Sequence, residues 1–154
     1  MNGWVFIDKP KNLTSAQVVR KIKKILNVKK VGHSGTLDPF ATGILGIAIG
    51  EATKSLYYFR GSKKYSFNVI FGEAKNTDDV TGKTIDKCDL IPSKEQIDSC
   101  LDKFLGEHSQ IPPQYSAVKV NGVRAYKLAR SNIEFDIDAK NVFIYSLTCS
   151  TSPN

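Results

Sequence analysis

No apolar run in this sequence approaches the roughly 20 residues that a membrane-spanning helix requires. The N-terminal residues soon reach Asp8 and Lys9 and contain no small-residue cleavage site, whereas a secretory signal needs a longer apolar stretch. We therefore expect a cytoplasmic protein that has no membrane partner.

Paired cysteines are also missing. The three cysteines, Cys88, Cys100 and Cys149, form no Cys-x-x-Cys motif, and neither His33 nor His108 lies near one of them. An odd number at long spacings excludes a disulfide framework and a zinc site of the usual kinds. We expect three free thiols and no metal.

The positive charge is concentrated at one end of the chain. The net charge is +7, and the first thirty residues hold eight basic residues and one acidic residue, while the remainder holds fourteen of each. A local basic patch favours a polyanion, most commonly nucleic acid. A lysine-rich helix face that is merely solvated is the alternative explanation.

The 154 residues, 41% of them apolar and 24% charged, suit a single domain over residues 1–154 with a real core. A capping box at Thr14 and Gln17 predicts a helix whose apolar face contains Val18, Ile22 and Ile25. The other predicted elements are strands over 4–7, 44–49, 64–71, 116–120 and 141–147, and helices over 51–60, from Ser93 to Gly106, and over 125–130. This irregular mixture indicates an α+β fold.

Residues 32–43, which read GHSGTLDPFATG, form the segment with the most chemical interest. The glycines suggest phosphate binding, but no Gly-Lys-Ser/Thr ending makes it a P-loop. Adjacent His33 and Ser34 do not easily adopt a nucleophile–base geometry, and no nucleophile elbow is present. One carboxylate, Asp38, remains beside a histidine in a basic protein. On these residues alone, a structural turn is the favoured interpretation of Asp38 and the following proline.

Further blocks accompany this segment along the chain. Together they are DKP at 8–10 with Thr14 and Ser15, GHSGTLDPFATG at 32–43, GEATK at 50–54, Lys63 and Tyr65, QIPPQYSAVK at 110–119, and YKLAR at 126–130. In these blocks, their order and their intervals, the sequence resembles the TruB family of tRNA pseudouridine synthases.

The resemblance implies an isomerase that converts one uridine to pseudouridine in the T-loop of tRNA. Such a reaction exchanges bonds within one nucleotide and needs no cofactor. The family fold implies a mixed, largely antiparallel sheet flanked by helices. The expected partner is the T-arm of tRNA, and no obligatory protein partner is expected.

The resemblance also implies roles for individual residues. Asp38 matches the catalytic aspartate; attack on C1′, attack on C6 and glycal formation all remain open. The target uridine must flip out of its base stack. His33 matches a family histidine that lies near the vacated position in the stack, and Tyr65 matches a tyrosine that lies against the flipped uracil. The alternative for Tyr65 is a core position on the predicted strand over 64–71.

Further residues have weaker assignments. Tyr115, Lys119 and Arg130 lie in matched blocks and are expected to support the site. Tyr115 is expected to buttress the active-site loop, with contact to the base as the alternative. Lys119 and Arg130 fit either contact with phosphate or ion pairs with acids of the fold. Contact with the RNA backbone is expected from basic residues near the N-terminus: Lys9, Arg20, Lys23 and Lys24. Lys9 has a structural alternative in the turn before Pro10.

The sequence departs from the family pattern in two places. Lys75 and Asn76 occupy the first two positions of a usual Thr-Asp-Thr element. The sequence printed here also ends at Asn154, before the family's Lys-Gly-Thr-Tyr-Ile-Arg motif, whose arginine pairs with the catalytic aspartate. We therefore expect a truncated catalytic domain without the C-terminal RNA-binding domain, and little or no activity from this chain by itself.

Two other functions fit the sequence. The basic helix and the missing motif fit a non-catalytic RNA-binding or RNA-folding module. A guide-RNA-dependent synthase of ribosomal RNA is the second alternative, although the blocks at 41–43 and 50–54 look more like the stand-alone bacterial form.

Overall fold

The computed structural model describes residues 1–59 and 61–150, which fall into two compact units, Met1–Ser66 and Phe67–Asn154. Small antiparallel sheets and a few helices make up both units, which confirms the α+β prediction. Within the described residues, no helix is long and apolar enough to cross a membrane. The assignment of residues 1–154 to a single domain stays a prediction.

A three-stranded antiparallel sheet organises the first unit. Its strands are β1 (Gly3–Lys9), β2 (Val31–His33) and β3 (Gly43–Ile49), in the order β1-β3-β2. The central strand β3 pairs with β1 over its whole length. Its sequence GILGIAI is apolar on both faces, as expected for a strand that is covered on both sides. The predicted strands over 4–7 and 44–49 are therefore confirmed.

Helix α1 (Ser15–Ile25) covers one face of this sheet. Both halves of the predicted capping box form, because the Thr14 hydroxyl accepts a hydrogen bond from the Gln17 amide and the Gln17 side chain accepts one from the Thr14 amide. Val18 joins Leu45, Ile47 and Ile49 in the buried core. Ile25 was expected on the apolar face, but it is 74% exposed; the helix ends at this residue, and Leu26 packs against the core.

A 3-10 helix, Gly50–Tyr58, follows β3 where the sequence predicted a short helix over 51–60; Arg60 lies outside the described residues. This helix crosses close to β2. A Cβ added to Gly32 would lie 2.6 Å from a methyl carbon of Leu56, so a larger residue at this position would require the Leu56 side chain to move.

The described part of the second unit, residues 67–150, contains three two-stranded antiparallel pairs. These are β4 (Glu73–Lys75) with β5 (Thr84–Lys87), β6 (Gly106–Gln110) with β9 (Lys140–Ile144), and β7 (Lys119–Val120) with β8 (Val123–Arg124). Its helical elements are α2 (Lys94–Leu101), a 3-10 turn at Asp102–Phe104, and α3 (Ala125–Arg130). The capping box at Ser93 and the helix over 125–130 are confirmed.

One predicted element is absent and three are shorter than predicted, among them the strand predicted over 141–147, which is β9 (Lys140–Ile144). Residues 64–71 form no strand, and the alternating residues Tyr65, Phe67 and Val69 are 68%, 68% and 59% exposed. Alternation alone does not make a strand, since the pattern also needs a paired neighbour and a covered face. The strand predicted over 116–120 shortens to Lys119–Val120, and the helix predicted to reach Gly106 ends at Leu101.

Candidate active site

Asp38 lies in the loop over residues 34–42 that joins β2 to β3, and it is exposed. The loop begins in register with the sheet, because the Ser34 amide donates to the Gly46 carbonyl at 2.9 Å. It turns at Pro39 and Phe40, where the Ala41 amide donates to the Asp38 carbonyl at 3.1 Å. The connection between β2 and β3 therefore exposes Asp38 to solvent, while a hydrogen bond to the central strand β3 holds the start of the loop.

The segment over residues 9–15 holds the loop on both sides of Asp38. Before it, the Ser15 hydroxyl accepts a hydrogen bond from the Leu37 amide at 2.9 Å and lies 3.3 Å from the Leu37 carbonyl, to which it can donate. After it, the Pro39 carbonyl accepts a hydrogen bond from the Asn12 amide at 2.7 Å. No sequence pattern assigns a role to Ser15; its place in the matched block with Thr14 is the one signal for it.

Lys9 also belongs to this arrangement. Its side chain is 0% exposed, and its ammonium donates to the carbonyls of Pro10 at 3.0 Å, Leu13 at 2.7 Å and Pro39 at 3.5 Å. Contact with an RNA phosphate was expected from this residue, but a buried ammonium committed to three carbonyls cannot reach one. The structural alternative, in the turn before Pro10, is the one that this geometry favours.

His33 ends β2 and pairs with Ile47 in the sheet, five residues before Asp38. Its Nδ1 lies 2.6 Å from the Gly35 carbonyl. Because a carbonyl oxygen only accepts, Nδ1 carries the proton, and Nε2 of the neutral ring remains an acceptor. The loop thus fixes both the orientation and the tautomer of the half-buried imidazole.

Tyr65 lies in the stretch 61–70, which has no regular secondary structure, and its exposure removes the alternative of a core position. The phenol is available for stacking. The structure does not place Tyr65 on a strand beside the Asp38 loop, so its role stays a prediction.

Three of the four predicted backbone-contact residues share one surface. Arg20, Lys23 and Lys24 are exposed on α1 at positions i, i+3 and i+4, which lie on the same side of a helix. Lys23 and Lys24 also lie in the last turn, where cations complement the helix dipole. We call Arg20, Lys23 and Lys24 the basic face.

The supporting residues Tyr115, Lys119 and Arg130 all belong to the second unit. Tyr115 is half-buried, and Lys119 is exposed in β7, opposite Arg124. The guanidinium of Arg130 lies 5.5 Å from the ring centroid of Tyr126, a cation–π distance. No role of these residues beyond their own unit follows from these contacts.

The unusual Lys75 and Asn76 have local partners in the second unit. The Lys75 ammonium lies 3.2 Å from a Glu73 carboxylate oxygen and 3.1 Å from the Thr84 hydroxyl. The Asn76 side-chain oxygen accepts from the Lys83 amide at 2.9 Å. The Asn76 side-chain oxygen therefore accepts a hydrogen bond in this turn, and the carboxylate of the aspartate that the family usually has here can accept one in the same way.

Comparisons with known proteins identify related sequences along the whole chain. A family model described as TruB family pseudouridylate synthase (N terminal domain) matches residues 23–153. The tRNA pseudouridine synthase B of Roseobacter denitrificans is 46% identical over 100% of the chain and 51% of that protein. The Ehrlichia chaffeensis protein of the same name is 50% identical over 96% of the chain and 50% of its own length. The chain thus spans about half the length of the curated relatives it matches.

A solved structure agrees with the fold. The crystal structure of a Cbf5-Nop10-Gar1 complex contains a chain that is 32% identical, with a TM-score of 0.54, over 76% of this chain and 31% of that one.

Proposed function

Because the chain belongs to the TruB family of pseudouridylate synthases, we propose that the protein carrying it isomerises a uridine in the T-loop of tRNA to pseudouridine, with Asp38 as its catalytic carboxylate. The chain supplies the N-terminal part of the catalytic domain. The T-arm of tRNA is the substrate, and no protein partner is obligatory.

One observation carries this proposal. The relatives named tRNA pseudouridine synthase B are 43–50% identical along 96–100% of the chain, which includes the block 32–43. The geometry of that block supports the assignment, because it presents one exposed carboxylate on a loop whose backbone is hydrogen-bonded both before and after Asp38. A catalytic group needs both access to substrate and a fixed position.

The proposed reaction breaks the bond between N1 and C1′ and forms a bond between C5 and C1′. N1 gains a proton and the hydrogen at C5 leaves as a proton, so the product is an isomer and no oxidant or group carrier takes part. A carboxylate can trap or stabilise the electron-poor intermediate. His33 and Tyr65 would accompany the flipped nucleotide, His33 offering Nε2 as an acceptor and Tyr65 an exposed ring for stacking.

Replacing Asp38 with Asn in the full-length protein tests the assignment. We expect the variant to release no tritium from tRNA labelled at C5 of uridine, since the carboxylate is lost while the side-chain shape is kept. Binding of tRNA should be retained, because one substitution leaves the basic face intact. Wild-type turnover by this variant would remove Asp38 from the mechanism.

Asp78→Asn is the matched control. Asp78 is also an exposed loop carboxylate, and its φ of 56° is a conformation that asparagine adopts readily. We expect normal tritium release from this variant. A loss equal to that of Asp38→Asn would show that the assay responds to surface charge rather than to the catalytic group.

The basic face favours a second candidate, a non-catalytic RNA-binding module. That function predicts tRNA binding by the wild-type protein without tritium release. The guide-RNA-dependent alternative has less support, since identity to the Cbf5 chain is 32% against 43–50% for the tRNA synthases.

A further inference from the structure

Ser15 is a buried hydroxyl at the start of α1, with 2% of its surface exposed. Its hydrogen bonds do not serve its own helix. They join the amide and the carbonyl of Leu37, which lies 22 residues further along the chain. A hydroxyl can accept one hydrogen bond and donate another, so one side chain satisfies both backbone groups of the residue before Asp38.

The backbone after Asp38 is held as well. The Asp38 carbonyl, which belongs to the peptide after this residue, accepts from the Ala41 amide at 3.1 Å, and residues 9–15 hold the carbonyl of the next residue. The Pro39 carbonyl accepts from the Asn12 amide at 2.7 Å and from the Lys9 ammonium at 3.5 Å. Fixing the peptides on both sides of one residue fixes the direction of its Cα–Cβ bond. The contacts from residues 9–15 and the hydrogen bond from Ala41 together restrict the direction in which the Asp38 side chain leaves the backbone.

Elsewhere the loop is held near its two ends, where the Ser34 amide donates to the Gly46 carbonyl and the Ala41 amide donates to the Asp38 carbonyl. Residues 34–42 contain no regular secondary structure, and Thr36, Asp38, Pro39 and Phe40 are all exposed. The Leu37 side chain does pack against the core, but that contact anchors a side chain and leaves the rotation of the adjoining peptides open. The hydrogen bonds from Ser15 restrict that rotation directly.

We propose that Ser15 is a positioning residue for Asp38. This inference rests on the proposed function, since it assumes that Asp38 is the catalytic carboxylate. Ser15 does not touch the substrate; it holds the Leu37 peptide so that the carboxylate lies where the ribose and base react. A small misplacement of a catalytic group costs on the order of 100-fold in rate.

The test is steady-state tritium release by full-length Ser15→Ala. We expect kcat to fall about 10- to 100-fold while KM for tRNA stays unchanged, because the loop is misplaced but the RNA-binding surface is not. Amide hydrogen exchange at Leu37 should accelerate in the same variant, because its acceptor is gone. Ser15→Thr, which keeps the hydroxyl, should recover part of the lost kcat.

Val18→Ala separates positioning from general stability. Val18 is 5% exposed on the next turn of the same helix and packs in the core, but it makes no hydrogen bond to the loop. We expect it to lower the melting temperature while leaving kcat unchanged below that temperature. An equal loss of kcat in Val18→Ala, or wild-type kcat in Ser15→Ala, would overturn the positioning role.

Asp38→Asn, measured in the same assay, distinguishes a failure of the positioning role of Ser15 from a failure of the catalytic role of Asp38. If Asp38→Asn is inactive and Ser15→Ala turns over normally, the positioning role fails and the proposed function stands. If Asp38→Asn turns over normally, Asp38 is not the catalytic carboxylate and the positioning role fails with that assignment; the absence of tritium release by the wild-type protein would instead overturn the proposed isomerase function.

Discussion

At the scale of single residues, Lys9 has the environment least expected from its type. Lysine is almost never fully buried without partners, and here three carbonyls surround its ammonium. These contacts join the turn after β1, the start of α1 and the Asp38 loop. The residue therefore uses its charge inside the fold and contributes nothing to the basic surface.

Lys9→Met tests this role. The substitution keeps the apolar stem but leaves carbonyls without donors, so we expect the free energy of unfolding to fall by about 1–3 kcal/mol. Denaturant unfolding of the full-length protein measures it, and the salt dependence of tRNA binding should not change. Lys11→Met, at an exposed position in the same segment, should have little effect on stability. If Lys9→Met left the stability unchanged but weakened the salt dependence of tRNA binding, Lys9 would contact an RNA phosphate after all.

At the scale of elements, side-chain hydrogen bonds stabilise a turn that connects two short strands. The turn between β4 and β5 is organised by the Asp79 carboxylate, which accepts from the hydroxyls of Thr77 at 2.8 Å and Thr81 at 2.6 Å and from the Thr81 amide at 2.8 Å. Burial acts to raise the pKa of this carboxyl, but the hydrogen bonds from Thr81 and Thr77 together outweigh burial and lower the pKa.

The lowered pKa of Asp79 predicts an acid-sensitive turn. Because the folded-state pKa lies below the unfolded-state pKa, the stabilisation is complete above the unfolded value and is lost as the pH falls through the folded value. We expect carboxyl-carbon NMR to give a lower titration midpoint in the folded protein than in urea. Thr81→Val should move the folded midpoint upward. Equal midpoints in the folded and unfolded wild type would contradict the assignment.

At the scale of the whole molecule, the asymmetry of charge is the dominant electrostatic feature. The surplus of +7 arises in the first thirty residues, and the structure exposes three of these charges on one side of α1 as the basic face. Contacts of this kind release counterions and do not depend on base sequence.

Replacing Arg20, Lys23 and Lys24 together with glutamine tests the basic face. If all three contact phosphates, the slope of log K for tRNA against log salt should become shallower by about 2 to 3 units. Lys83, Lys103 and Lys140, all exposed in the second unit, provide a control triple that removes the same charge. Equal changes in slope for both triples would mean that net charge acts without a defined contact surface.

The sequence by itself determined the local elements and the identity of the loop. Both capping boxes, the strand ending at Ile49 and the helix over 125–130 follow from patterns a few residues long, which act through neighbouring backbone groups. The block at 32–43 identified Asp38 through resemblance, although the residue types alone also fitted a simple turn.

Only the tertiary structure decided how that loop is held. The contacts of Ser15 with Leu37 and of Lys9 with Pro39 span 22 and 30 residues, so no local pattern encodes them. The exposure of Tyr65 likewise depends on what packs against its segment rather than on the alternation within it. Periodicity specifies which residues can share a face, and long-range packing decides which of those faces is covered.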